Sequence, residues 1–323
     1  MKKLKLLLAG SAVLAWVLPY AQTVTLTNKV KAETVANIAR SLTENYVYLD
    51  TAKKMAALIL EQLNTGAYDT IKTPGVFSNR LTADLLSVYH DGHLSISYNA
   101  PAEDINRGID TAAENERRLA FRRSVNFGWN KAEILTGNTG YLQIAGFFAP
   151  DSAAKAMAEA ALCFVSNSNA LVIDLRGNMG GSPDMVSYIC GFFFARKTHL
   201  NDLYTRSSNT TAQYWAVPAG ILNRLNQIPI YVLTSHQTFS AGEEFCYDLQ
   251  TQRRATIIGE ATGGGAHPVS PFSAGNGFTS NVPFARAINP ITGKNWEGKG
   301  VQPDIYCVAG DALNIALSVI SHK

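Results

Sequence analysis

The sequence predicts an α/β protein in which a small N-terminal helical domain precedes an α/β core. Three observations predict it. Apolar residues recur at helical spacing between residues 30 and 90. From Gly140 onward, short continuous apolar runs alternate with helical patterns. The 323 residues are 46% hydrophobic and 16% charged, with 25 Gly and 12 Pro, which excludes a mostly disordered or fibrous chain.

The first segment reads as an address. Lys2, Lys3 and Lys5 precede an apolar run from Leu6 to Leu18, and Ala21 offers a small residue for cleavage. This is the pattern of a secretory signal peptide over residues 1–21, so an exported protein, periplasmic or extracellular, is expected. The alternative is an uncleaved anchor, although the run is short for a membrane-spanning helix. Three of the 28 Lys and Arg residues lie in this segment, which leaves 25 basic side chains against 25 acidic ones. A neutral chain carries no electrostatic footprint for nucleic acid or an anionic membrane surface. No later run is long and apolar enough to span, so no stable membrane insertion is expected after signal removal.

Residues 22–97 form the expected helical domain. Val35, Ile38, Ala39 and Leu42 share a helix face, as do Met55, Leu58, Ile59 and Leu63. Leu81, Leu85 and Val88 repeat the spacing after Pro74-Gly75. Residues 98–135 are polar and irregular and read as a connecting segment with room for an antiparallel strand or two. Residues 136–323 form the core. Strands are expected at 141–147, 170–175, 229–234 and 256–259. Helices are expected at 151–166, with Asp151 as N-cap, and near 183–194 and 240–252. Cys163, Cys190, Cys246 and Cys307 are far apart and form no Cys-x-x-Cys, so zinc and redox motifs are unsupported. They read as buried free thiols, although export would permit a disulfide.

Five stretches could carry chemistry. In Thr238-Phe239-Ser240-Ala241-Gly242-Glu243, Ser240 follows a buried strand at the start of a helix. Unpaired N–H groups there suit a nucleophile and its oxyanion. The same residues spell a capping box, Ser-x-x-Glu, which needs no catalysis. In Asp174-Leu175-Arg176-Gly177-Asn178-Met179-Gly180-Gly181, a buried strand ends in a turn whose glycines let the backbone approach a substrate; an ordinary strand-to-helix turn reads the same way. Tyr89-His90-Asp91-Gly92-His93 offers His93 as a general base or as a surface-turn histidine. Two histidines three apart, with no third ligand at a recognised spacing, give no expected metal site. Thr262-Gly263-Gly264-Gly265-Ala266-His267 is shaped for backbone approach or mobility, and His267 is a second candidate base. Glu297, in Trp296-Glu297-Gly298-Lys299-Gly300, is suited to orient a histidine or to sit in a solvated turn.

Each stretch is weak alone, but their order resembles the S41 family of serine peptidases, over residues 30 to 310. That family includes C-terminal processing proteases, the tricorn protease and interphotoreceptor retinoid-binding protein. Thr-Phe-Ser-Ala-Gly-Glu-Glu together with Thr-Gly-Gly-Gly-Ala-His-Pro looks closest to the retinoid-binding-protein-like branch. The resemblance implies a crotonase/ClpP-like core. The Lys of the processing proteases' Ser-Lys dyad would fall at position 265, which is Gly265 here. The tricorn-like design uses His, Ser and Glu in that order; His93 lies in the matching Asp-Gly-His turn, and Glu297 falls 57 positions after Ser240. The resemblance therefore implies an endopeptidase with catalytic Ser240, His93 and Glu297. It places the oxyanion at the N–H of Ala241 and one of Gly180 or Gly181. His267, Gly264 and Gly265 would line the substrate. Peptide or protein substrates are implied, with no cofactor and no metal. Residues 98–135 are too few for a PDZ module. The alternative is a non-catalytic carrier of apolar ligands or peptides on the same scaffold.

Overall fold

The computed structural model describes residues 25–99, 111–219 and 223–322. The signal-peptide segment, residues 1–21, lies outside them. Three helices come first: α1 (Asn28–Asn45), α2 (Leu49–Asn64) and α3 (Pro74–Val88). Thr27 starts α1 by accepting the Val30 N–H, and Pro74 sits in the first turn of α3, where its missing N–H costs nothing. Their apolar faces meet in one cluster that buries Val35, Ile38, Leu42, Met55, Ile59, Leu81 and Leu85. The strand β1 (Ser95–Tyr98) follows.

The expected connecting segment holds a helix, α4 (Thr111–Ser124), and an antiparallel strand, β2 (Trp129–Leu135). Then come β3 (Thr139–Ile144), α5 (Ser152–Phe164), β4 (Ala170–Asp174), α6 (Pro183–Cys190), β5 (Thr198–Thr205) and β6 (Thr210–Ala216). After these run β7 (Ile230–Thr234), α7 (Ala241–Thr251), β8 (Ala255–Gly259), β9 (Val269–Gly275), β10 (Phe278–Pro283), β11 (Ala285–Ile288), β12 (Ile305–Tyr306) and α8 (Ala312–Ser321).

The main sheet has the order β12-β8-β7-β4-β3-β2, and only β2 is antiparallel. Every residue of β4 and β7 is buried, because helices cover both faces of the sheet. On one face Ile173 and Val232 pack with α5, α6 and α7; on the other Val172 and Leu233 pack with Ala312 and Ala316 of α8. This is the α/β core that the alternating pattern predicts. Asp151 caps α5 as expected, accepting the Ala154 N–H at 2.9 Å.

Two smaller antiparallel sheets, β1-β10-β9 and β11-β5-β6, were not expected. In the first, strands from residues 269–283 pair with β1 and bury Ala274, Phe278 and Val282 in the N-terminal helical cluster. The C-terminal half of the chain thus completes the core of the N-terminal half. Arg206 fastens the two from the side: its guanidinium donates to the carbonyls of Thr43, Glu44 and Tyr46 at the end of α1, at 2.7–2.9 Å. All four thiols are free. Cys190 and Cys246 are buried and Cys307 half-buried, whereas Cys163 sits on the exposed side of α5.

Among the described residues no helix is long and apolar enough to cross a membrane.

Candidate active site

The carboxyl ends of parallel strands carry the loops of interest, as open α/β sheets require. After β7, the turn to α7 is pinned to the exit of β4. Ser235 Oγ donates to the Arg176 carbonyl at 2.6 Å, Thr238 Oγ1 to the Leu175 carbonyl at 2.8 Å, and the Phe239 N–H to the Asn178 carbonyl at 2.9 Å. The chain then reaches Ser240 with φ 55° and ψ −122°. That backbone geometry favours glycine and costs a serine about 1–3 kcal/mol. The bonds to β4 and the start of α7 hold it there.

Glu243 completes the restraint. Its Oε2 accepts the N–H groups of Ser240 (2.9 Å) and Gly265 (2.8 Å), and its Oε1 accepts Gly264 N–H (2.6 Å) and Thr262 Oγ1 (2.5 Å). The return contact of the capping box is therefore formed, and the same carboxylate fastens the glycine loop to the nucleophile turn. Only the box was legible in the sequence. Burial pushes the Glu243 carboxyl up, while these four donors oppose the shift.

The turn after β4 lies directly against Ser240. A Cβ added to Gly180 would stand 2.7 Å from the Ser240 Cβ and 3.0 Å from the Ala241 nitrogen, so only glycine allows this approach. Gly180 donates its own N–H to Asn178 Oδ1 at 2.8 Å. Among the described residues no protein acceptor takes the N–H of Gly181 or of Ala241. Of the two glycines, Gly181 is the one with a donor to spare.

His93 follows α3 on the N-terminal side. Its ring lies on Phe239, with centroids 4.6 Å apart, and a Cβ on Gly265 would stand 2.8 Å from its Cε1. Its Nδ1 is buried with no partner among the described residues. Burial holds the imidazole below its ordinary range, with Asp91 opposing and His267 adding to the shift. His267 is fully buried: Nδ1 meets Asp91 Oδ2 at 2.7 Å and Glu297 Oε2 at 3.5 Å, and Nε2 faces the Tyr48 hydroxyl at 3.4 Å. Asp91 also accepts the His93 N–H (3.1 Å) and the Tyr46 hydroxyl (3.1 Å). It links the His93 turn, α1's end and the His267 loop.

Glu297 Oε2 accepts the Ala266 N–H at 2.7 Å, and its Oε1 is buried with no partner among the described residues. Burial pushes this carboxyl up to about 7. Glu297 thus lies against His267, and no hydrogen bond joins His93 to Ser240 or Glu297 among the described residues. Asp91, His267 and Glu297 bring ligand-type atoms within 4.8 Å of one another. The contacts to His267 account for that grouping.

A cavity of about 390 Å³ brings together six of the predicted residues, Ser240, Ala241, His93, His267, Gly265 and Gly181; Glu297 and Gly180 are not in its lining. Gly264 sits behind, bonded to Glu243. Sequence reasoning passed over Asp91 as a partner, although it stands in the quoted Asp-Gly-His turn. It also missed Asn201 and Glu244, which line the same cavity.

The buried acids have a consequence for stability. Burial raises the carboxyls of Glu297, Glu243, Glu244 and Asp248 above their unfolded values. From about pH 5 to 8 the folded protein therefore binds more protons than the unfolded chain, and stability falls as pH rises. The lowered His93 acts in the opposite sense but is one group against four. Calorimetry at constant ionic strength should give a melting temperature higher at pH 5.5 than at pH 8, by about 3 °C or more. A melting temperature that rises steadily over this range would contradict the assignment.

Comparison with known proteins agrees with this architecture. The model of peptidase family S41 matches residues 138–307, and that of the N-terminal domain of peptidase S41 in eukaryotic IRBP matches residues 15–123. The chain belongs to peptidase family S41. Among solved structures, a lipoprotein from Streptococcus agalactiae is similar with a TM-score of 0.59 at 14% identity, over 95% of this chain and 99% of that one. Mature CPAF gives 0.62 at 13% identity, over 91% and 96%. The tricorn protease gives 0.57 at 14% identity, over 91% of this chain and 36% of its own. At these identities the likeness establishes the fold, an α/β core with an N-terminal helical domain.

Proposed function

We propose that this family S41 protein is an exported serine peptidase in which Ser240 is the nucleophile, His93 the general base and Glu297 the carboxylate that orients His93. The observation that carries the reading is the setting of Ser240. It is held at a positive φ beyond the ends of parallel strands, beside two uncommitted N–H groups and in one cavity with His93. A helix cap alone needs none of these.

Ser240 Oγ attacks the peptide carbonyl carbon as His93 takes its proton. The carbonyl oxygen becomes an oxyanion between the N–H groups of Ala241 and Gly181. Collapse breaks the C–N bond, and His93 returns the proton to the leaving amine. Water then repeats the sequence on the acyl-enzyme and frees Ser240. His93 Nδ1 and Glu297 Oε1 are both buried with no partner among the described residues, and a donor and an acceptor so placed would satisfy each other. Catalytic hydrogen bonds tighten on substrate binding. His267 is the weaker candidate base, since Asp91 and Tyr48 face its two ring nitrogens. The basic start and apolar run of residues 1–18 support export.

A carrier of apolar ligands or peptides is the second reading. A groove of about 860 Å³, lined by Phe121, Phe147, Phe148 and Met179 beside Gly181, favours it. Incubation of the purified protein with a mixture of unstructured peptides, read by mass spectrometry, separates the two. The peptidase reading expects new peptide termini that accumulate with time. Peptides bound and recovered intact would favour the carrier.

A further inference from the structure

The cavity beside Ser240 is built for more than an apolar side chain. Leu203, Tyr214, Phe284 and Trp296 contribute apolar walls. Glu244 and Asn201 also line it, and both are buried, at 4% and 0% exposure. Glu244 lies four residues after Ser240, so α7 carries the nucleophile at its start and this carboxyl one turn on. Asn201 comes from β5, just past a bulge in its pairing with β6, a device that re-aims side chains. Asn201 Nδ2 donates to Glu244 Oε1 at 3.1 Å.

Two features of this pair are unexplained by the fold. Asn201 Oδ1 is buried with no hydrogen-bond partner among the described residues. No Lys, Arg or His among the described residues pairs with Glu244. Burying an unpartnered acceptor beside a carboxyl with no cation near it is costly even where the carboxyl keeps its proton, and a core position would be better filled by an apolar residue. The cost is recovered if a ligand brings the missing donor. A cationic side chain does so: its methylenes lie along the apolar walls and its head meets the carboxylate and the amide oxygen. A volume of about 390 Å³ lies within the range of ligand pockets.

We infer that this cavity receives the substrate side chain on the acyl side of the scissile bond, and that Glu244 and Asn201 select Lys or Arg there. The inference rests on the serine peptidase reading for the scissile bond, but the pocket's chemistry stands apart from it.

Two measurements test it. The first compares kcat/KM for fluorogenic peptides that differ only in the residue before the scissile bond: Lys, Arg, Gln, Leu or Phe. Lys or Arg should exceed Leu by about 100-fold, and Glu244→Gln should bring the Lys-to-Leu and Arg-to-Leu ratios of kcat/KM down to about one. The second measures benzamidine, an aryl amidinium, by calorimetry on the Ser240→Ala protein, where no turnover is needed. Saturable binding is expected, weakened about 10-fold or more by adding Glu244→Gln. Asn201→Leu, on a different element, should weaken it as well and serves if Glu244→Gln does not fold by circular dichroism. Benzamidine binding without cleavage of any peptide would support the pocket and sink the peptidase reading. Ser240-dependent cleavage that prefers Leu or Phe, with no benzamidine bound, would overturn the pocket and leave the peptidase reading standing.

Discussion

Ser240→Ala should lower peptide turnover by at least about 10⁴-fold while the protein stays folded. The substitution removes the only atom proposed to attack the carbonyl, and leaves the N–H of Ala241 and Gly181 in place. Ser240 Oγ makes no cap hydrogen bond to α7 among the described residues, so the cost to stability should stay below the roughly 1 kcal/mol of a lost helix cap. Ser240→Gly separates the two roles further. Position 240 has φ 55°, where a Cβ is strained, so glycine relieves part of that strain. This variant should be equally inactive yet melt at or above the wild-type temperature. A serine kept only as a cap predicts the reverse pattern: turnover retained, and stability lost with either substitution.

His93→Ala should cost about 10³-fold or more in kcat/KM, with His267→Ala costing less and acting through a different property. His93 supplies the uncommitted imidazole beside Phe239, whereas His267 joins Asp91 and Glu297 across the gap between the N-terminal helices and the core. Removing His267 leaves Asp91 buried without its 2.7 Å partner, so a lowered melting temperature should accompany its effect. The pH profile adds an independent mark. Burial disfavours the protonated imidazole of His93, so the neutral base persists to lower pH. The acid limb of kcat/KM should therefore be set by the Glu297 carboxyl, near 7, rather than by His93. Near-normal turnover in His93→Ala, with loss in His267→Ala, would reverse the roles.

What the sequence made legible follows from where each element is buried. β4 and β7 are covered on both faces, so they read as unbroken apolar runs, and the helices between them show one apolar face. β5, β6, β9 and β10 carry Ser, Thr and Asn and present partly exposed faces, so their apolar pattern is interrupted. The Asn276-Gly277 pair between β9 and β10 is a hairpin signal that could have revealed them. Ser240, Gly180 and Gly181 were readable because each sits at a strand exit. The contact of His267 with Asp91 was not, because the two meet across 176 residues of chain. Likewise Asn201 and Glu244 meet only once β5 has folded over α7.

The central claim is that Ser240 is an activated nucleophile rather than a capping residue. A fluorophosphonate probe tests it most directly, because only an activated serine displaces the fluoride and forms the oxygen–phosphorus bond. The folded wild-type protein should take up one probe, mapped by peptide mass spectrometry to Ser240, and His93→Ala should react far more slowly. No adduct on the folded protein, or an adduct on another serine that persists in Ser240→Ala, would contradict the account.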